Sequence, residues 1–356
     1  MRMPRPAPVW RKVLALAGLL LVFIAVGAFA AYQSNSYLSV FWTIAQCNWH
    51  PPGDRYVMAE CDPMVSEFYR NDALYLGVDK RLENSLRQAD VVITGNSRTI
   101  ETFFTKPADN QIEQYFQKRH LRSFTVAQEG SGFRFRMLLL QKLGIRPKIA
   151  LINTDDVEVD LLDDFNREVI FNPDRFVLPF RASYLAISMQ HAICSSAGEN
   201  SYWPDWLVKR AQDFYCHGPK QPMWRNADSG TLMLTYPRKP TARAGPITQL
   251  PDPQLASMDL YWRNARTMLS SDTWRDTCII FYMVPGVGGE GAGVMREVAQ
   301  RSGRPYIYPD IDASKNYFSY DGSHMDVDTS ERWTKEFLAE LGPKLDACLA
   351  RVNAGK

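Results

Sequence analysis

Two segments far apart in the chain carry residue types that can do covalent chemistry together. Val91-Val92-Ile93-Thr94-Gly95-Asn96-Ser97 is a β-branched apolar run ending in a Gly-Asn-Ser turn, and Asp321-Gly322-Ser323-His324 stands just ahead of a C-terminal helical pattern. A serine hydroxyl is a weak nucleophile until a neighbouring base takes its proton, and an imidazole is suited to that task. A carboxylate three residues before the imidazole can bond one ring nitrogen, fix the tautomer and stabilise the imidazolium that forms. Gly-x-Ser by itself is also the pattern of a capping serine, and Asp or His alone is an ordinary surface-turn residue. Taken together they suit acyl transfer through a serine ester, with Ser97 as nucleophile, His324 as base and Asp321 as its orienting carboxylate. Gly95 would allow a sharp turn, and the backbone amides after Ser97 would face a developing oxyanion.

Such a site needs a sheet edge to stand on, and the hydrophobic pattern supplies one. Val91 to Thr94, Ser123 to Ala127, Lys148 to Asn153, Cys278 to Val284 and Pro305 to Tyr308 read as strands. Between them, Ile100 to His120 has helical spacing interrupted by Pro107, and Ser131 to Leu143 is amphipathic and stopped by Gly144. Asp328 to Leu341 reads as the closing helix, with Asp328 as its N-cap and Glu331 completing a capping box. Alternating strands and helices predict an α/β fold, three layers deep, around a central parallel sheet. A serine at the end of its first strand would stand at the carboxyl edge, where open α/β sheets place ligands.

Roughly 120 residues separate the third and fourth strands, too many for an ordinary crossover. That stretch is rich in Trp and Tyr (Tyr202, Trp203, Trp206, Trp224, Tyr236, Tyr261, Trp262), and about 157–260 of it is read as an insertion forming a cap beside the site. The run Gly286 to Gly293 lacks the Lys-Ser/Thr ending of a phosphate loop and reads as a linker.

The N-terminus adds a location. Residues 1–12 carry Arg2, Arg5, Arg11 and Lys12, and 13–32 form an uncharged run. About twenty residues at ~1.5 Å each match a hydrocarbon core of roughly 30 Å. The basic flank predicts a single-pass helix with residues 1–12 in the cytoplasm and the rest outside it. Ala28-Phe29-Ala30 also fits a signal-peptidase site, so a released form stays open. Residues 33–77 read as an irregular juxtamembrane segment, and 78–356 as the folded domain. Six cysteines suit an oxidising compartment, and the pairs Cys47 with Cys61, Cys194 with Cys216 and Cys278 with Cys348 are the natural proposal among fifteen. A formal net charge of +2 speaks against nucleic acid as a partner. The five histidines show no metal-ligand spacing with Cys or carboxylates, so neither a metal nor another cofactor is expected.

Gly95-Asn96-Ser97, with Asp321 and His324 ahead of the final helix, resembles the SGNH (GDSL-like) hydrolases over roughly residues 88–154 and 278–345. That resemblance implies a flavodoxin-like sheet, with the nucleophile after strand one. It implies an oxyanion glycine after strand two, where Gln128-Glu129-Gly130-Ser131-Gly132 offers Gly132 first and Gly130 second. The family's third block is Gly-x-Asn-Asp, whereas this chain has Asn153-Thr154-Asp155-Asp156. Asp155 then occupies the donor position, where an ionised carboxylate would repel an oxyanion. Asn153 is one substitute donor and a hole made of backbone amides alone is the alternative, while Asp155 and Arg98 would line the site. The resemblance further implies acyl, most simply acetyl, transfer to or removal from a cell-envelope polysaccharide on the periplasmic side of the inner membrane. A multi-spanning membrane acyltransferase is the partner implied for a cytosolic donor. The competing expectations are a lipid or small-ester hydrolase, which predicts an apolar pocket under the insertion, and a non-catalytic envelope scaffold.

Overall fold

The computed structural model describes residues 55–60, 71–103, 110–127, 133–154, 169–177, 223–233, 245–246, 255–271, 276–285, 292–309 and 316–354, with single positions from 180 to 216 and Trp274. By its internal contacts the chain forms two compact units, one of residues 1–49 and 178–220, the other of 50–177 and 221–356. In the first, Cys194 and Cys216 form a disulfide. Residues 13–32 and the Cys47/Cys61 pair lie outside the described residues, among which no helix is long and apolar enough to cross a membrane.

The second unit is an α/β domain. Its main sheet contains β2 (Val91–Thr94), β3 (Ser123–Thr125), β4 (Ile149–Asn153), β8 (Cys278–Tyr282) and β9 (Tyr306–Ile307), in the order β3-β2-β4-β8-β9. All four pairings are parallel. The sequences Val-Val-Ile-Thr, Ile-Ala-Leu-Ile-Asn and Cys-Ile-Ile-Phe-Tyr are buried at every position, as strands must be when both faces are covered.

Alternate residues serve alternate faces. On one face Val91, Ile93, Leu151, Ile280 and Tyr282 pack with Ile100 and Phe103, Ile112 and Phe116, and Trp333, Phe337, Leu341 and Leu345. These come from α3 (Ser97–Phe103), α4 (Gln111–Gln117) and the long α8 (Val327–Ala354). On the other, Val92, Ala150, Ile152, Ile279 and Phe281 meet residues of α2 (Lys80–Arg87), α5 (Phe133–Lys142), α6 (Leu255–Leu269) and α7 (Ala292–Ser302). The Cys278–Cys348 disulfide ties the start of β8 to α8.

The structure departs from the sequence reading in three places. The segment 33–77, read as irregular, holds β1 (Tyr56–Glu60) and the short helix α1 (Asn71–Tyr75). β1 pairs antiparallel with β5 (Met223–Asn226), which pairs with β6 (Leu232–Met233). The β5–β6 turn lies along the edge of the main sheet, where Ser229 C=O accepts the Thr125 N–H at 2.8 Å. Part of the stretch between the third and fourth predicted strands is thus core: Trp224, inside the expected insertion, and Tyr261, just past it, are buried, and Trp262 packs against the second cluster. Trp206 is exposed, while Tyr202, Trp203 and Tyr236 lie outside the described residues.

The third departure is the closing helix, which begins at Val327 and not at Asp328. Its cap is Asp326, whose Oδ1 accepts the Thr329 N–H at 2.7 Å while its C=O accepts the Ser330 N–H at 2.8 Å. The helix also continues to Ala354, well past Leu341, because the apolar face carries on through Leu345 and Cys348.

Candidate active site

β2 is the first strand of the main sheet and lies between β3 and β4, so the strand order reverses there, and crevices in open α/β sheets form at such a point. The chain leaves β2 through Gly95 and Asn96 and enters α3 at Ser97 itself. Gly95 is needed for close approach: a Cβ there would run into the side chain of Thr99. Asn96 braces the entry, its Oδ1 accepting the Arg98 N–H at 3.1 Å while its C=O accepts the Ile100 N–H at 3.2 Å. The Arg98 amide, expected to face an oxyanion, therefore already has a partner.

The second segment is a tight turn. β10 (Phe318–Ser319) pairs antiparallel with β7 (Gly245–Pro246), and a Ser319/Met325 bridge closes the loop between. Tyr320 N–H donates to His324 C=O at 3.0 Å, and Gly322 N–H donates to Ser319 Oγ at 2.7 Å. Gly322 has a φ of 93°, a conformation that glycine adopts without a steric penalty. Asp321 organises what remains: its Oδ1 accepts the N–H groups of Ser323 and His324, each at 2.8 Å.

These two segments meet. Asp321 Oδ2 lies 2.7 Å from His324 Nδ1, and His324 Nε2 lies 2.9 Å from Ser97 Oγ. An ionised carboxylate only accepts, so the tautomer that satisfies both contacts carries its hydrogen on Nδ1 and receives the Ser97 O–H at Nε2. Burial pushes the Asp321 carboxyl up, but the hydrogen bonds from the His324 ring and from the two backbone amides outweigh it and hold its pKa below the usual carboxylate value. Asp321 is therefore an anion at neutral pH.

Further ties join the turn to α3. Arg98 Nε donates to Ser323 Oγ at 3.1 Å, and Tyr320 O–H donates to Glu101 Oε2 at 2.6 Å. The Tyr320 ring stacks on the His324 ring, with centroids 5.8 Å apart and planes 22° apart. The other carboxylate oxygen, Glu101 Oε1, is 3.8 Å from His324 Nε2. Neither Glu101 nor Tyr320 emerged from the sequence as a site residue. The available signal was spacing, since Glu101 follows Ser97 by four and shares its helix face.

A second, neutral network holds α3 to the strand ends. Tyr282 O–H donates to Thr94 C=O at 2.8 Å and lies 3.1 Å from Thr99 Oγ1, which accepts from Asn153 Nδ2 at 2.6 Å. Tyrosine has one proton to give, so Thr99 donates to Tyr282. The series Asn153, Thr99, Tyr282, Thr94 C=O is thereby directed end to end. Asn153 is fully buried and its amide nitrogen serves Thr99. One of the two Nδ2 hydrogens of Asn153 therefore ties the end of β4 to α3, the helix that begins at Ser97. Gly130, Gly132 and Asp155 lie outside the described residues.

Among the described residues no three His, Cys, Asp or Glu side chains gather as a metal-binding group. No protein-family model matches the chain, and neither the curated proteins nor the solved structures contain a match.

Proposed function

We propose that this protein is a serine-dependent ester hydrolase or O-acyltransferase of SGNH type, with Ser97 as nucleophile, His324 as general base and Asp321 as orienting anion. One observation carries the reading: a serine at the switch point of a parallel sheet in hydrogen-bond line with an imidazole and a buttressed carboxylate. As Ser97 Oγ attacks an ester carbonyl, its proton passes to His324 Nε2 and then to the departing alcohol. The acyl-serine is resolved when a hydroxyl gives its proton to Nε2 and attacks in turn; Ser97 Oγ takes that proton back as it leaves.

The substrate class rests on the resemblance of the sequence motifs and on the basic-flanked apolar segment at 13–32. Acetyl groups on a cell-envelope polysaccharide are the proposed substrate, met outside the cytoplasmic membrane by a domain anchored to it. A multi-spanning membrane acyltransferase is the proposed partner where the acyl donor is cytosolic.

The test is labelling of the purified chain with a fluorophosphonate probe. Wild type should label at one serine, and both Ser97→Ala and His324→Ala should abolish labelling. Equal labelling of wild type and Ser97→Ala would refute the proposal. Acetylated oligosaccharide offered together with a free acceptor then separates transfer from hydrolysis.

A further inference from the structure

Glu101 has no part in the acid–base relay above, yet it is a nearly buried carboxylate on the reactive side of the imidazole. Ser97 and Glu101 are one turn apart on α3, so the hydroxyl to be acylated and the carboxylate face the same space. Tyr320 O–H holds Oε2 at 2.6 Å, which leaves the carboxylate one orientation, with Oε1 toward His324 Nε2 at 3.8 Å. In the Nδ1–H tautomer both atoms are acceptors with no hydrogen to share, but a small hydroxylic molecule can donate to both at about 2.8 Å.

Such a molecule enters at the second step. While Ser97 is free, its O–H occupies Nε2. Once Ser97 is acylated, that proton is gone and Nε2 accepts from whatever resolves the ester. We infer that Glu101 is an acceptor-binding residue, and that the site selects an acyl acceptor with two O–H donors, one for His324 Nε2 and one for Glu101 Oε1. Water has two. A vicinal diol, as on a sugar ring, also has two, on adjacent oxygens. A monohydric alcohol has one, and has no second O–H to give Glu101 Oε1.

This inference rests on the serine-ester reading and specifies its acceptor. The step balances: the attacking oxygen forms the new C–O bond, and its proton goes to Nε2. The bond from the acyl carbon to Ser97 Oγ then breaks, and Nε2 returns the proton to Oγ. Glu101 accepts a hydrogen bond throughout and takes no proton in the step. The other charged and titratable groups that face His324 include Asp321 on Nδ1, the Tyr320 ring on the imidazole face and Arg98 through Ser323.

The experiment uses the full-length protein with p-nitrophenyl acetate as acyl donor. The burst of p-nitrophenol reports acylation, the steady state reports deacylation, and intact mass reports acetyl-Ser97. Methanol and ethane-1,2-diol are added separately, and the ester products are quantified. Wild type should acetylate the diol at least about tenfold faster than methanol, far above the statistical factor of two. Glu101→Gln should slow deacylation about tenfold to a hundredfold, the span of one hydrogen bond to a charged group, while leaving the burst within about threefold. The diol preference should fall to about twofold, the statistical value. A residue that merely positions His324 would slow both steps together, since the imidazole serves both. Equal slowing with an unchanged diol-to-methanol ratio would overturn the inference. Tyr320→Phe keeps the ring on His324 and removes only the hydroxyl from Oε2. It should lower the diol preference in the same direction by less, and it decides the matter if Glu101→Gln does not fold. Absence of acetyl-Ser97 in wild type would remove the serine-ester reading, and this inference with it.

Discussion

On one side of helix α3, Ser97, Glu101, His324, Asp321 and Tyr320 form a cluster of groups that ionise or pass protons. On its other side, Thr94, Thr99, Asn153 and Tyr282 form a cluster whose members stay neutral at any pH near 7. The two share a helix of seven residues and the carboxyl ends of β2, β4 and β8. They differ in exposure: the His324 side chain is 16 % accessible, whereas Asn153 and Tyr282 are 0 % accessible. On the proposed function the ionisable cluster has to admit a reactant, and it keeps contact with water. The neutral cluster has no such duty, and a buried hydrogen-bond chain with each donor directed is stiff because any break leaves a polar group unsatisfied. A short helix has little stability of its own, so the neutral network supplies the fixed base from which Ser97 meets His324.

The contrast breaks most severely from the ionisable side. His324→Ala should lower the rate of fluorophosphonate labelling by about 10²- to 10⁴-fold, the usual weight of a general base. Thermal unfolding should change little, because the ring contributes little to either apolar cluster. Substantial labelling by His324→Ala would mean that Ser97 is activated by something else, and the pairing at 2.9 Å would have to be read as structural.

From the neutral side the order of effects should reverse. Thr99→Val keeps the shape but removes the hydroxyl that accepts from Asn153 and donates to Tyr282. Two buried partners are left wanting, at about 1–3 kcal/mol each when unrelieved. Denaturant unfolding should show a loss in that range or above, and labelling of the folded fraction should fall less than in His324→Ala. Tyr282→Phe is the milder form: Thr94 C=O loses its donor and Thr99 its acceptor, while the ring keeps its place against Phe103 and Phe337. A loss of about 1–2 kcal/mol is expected. A Thr99→Val protein as stable as wild type would show that the network does not anchor α3.

How much of this was legible depends on the range of the interaction that writes each feature. β2, β4 and β8 could be read because strands covered on both faces are continuous apolar runs. The Asp321–His324 turn and the Gly95–Ser97 turn could be read because their chemistry lies within three or four residues. β1 could not, since Tyr56–Glu60 becomes a strand by pairing with Met223–Asn226, far along the chain. The cap at Asp326 was missed for a smaller reason: Asp326 and Asp328 both stand before the apolar pattern, and only the backbone decides between them. The bond from Asn153 to Thr99 could not be read either, because the two sit on different elements. Glu101 and Tyr320 look ordinary in their own segments, and the fold alone brings them to His324.

The smallest expected effect concerns Asp321 and stability. Its carboxyl has a lowered pKa in the folded protein, with burial opposing and three hydrogen bonds prevailing. A group whose pKa is depressed by folding stabilises the native state at pH values above its unfolded pKa, about 3.9 for Asp. That contribution is lost as pH falls through the lower, folded value. Asp321→Asn lacks it at every pH. The difference in unfolding free energy between wild type and Asp321→Asn should therefore be constant above about pH 5 and shrink as the pH drops below about 4. The size should be modest, since the Asp321 side chain is 39 % accessible and water screens its attraction to the imidazole. Urea unfolding of both proteins across pH 3 to 7 measures it. A gap that stays constant down to the lowest pH would mean that the folded carboxyl titrates like an unfolded one. Its bonds to His324 and to the two amides would then contribute geometry to the turn without contributing stability.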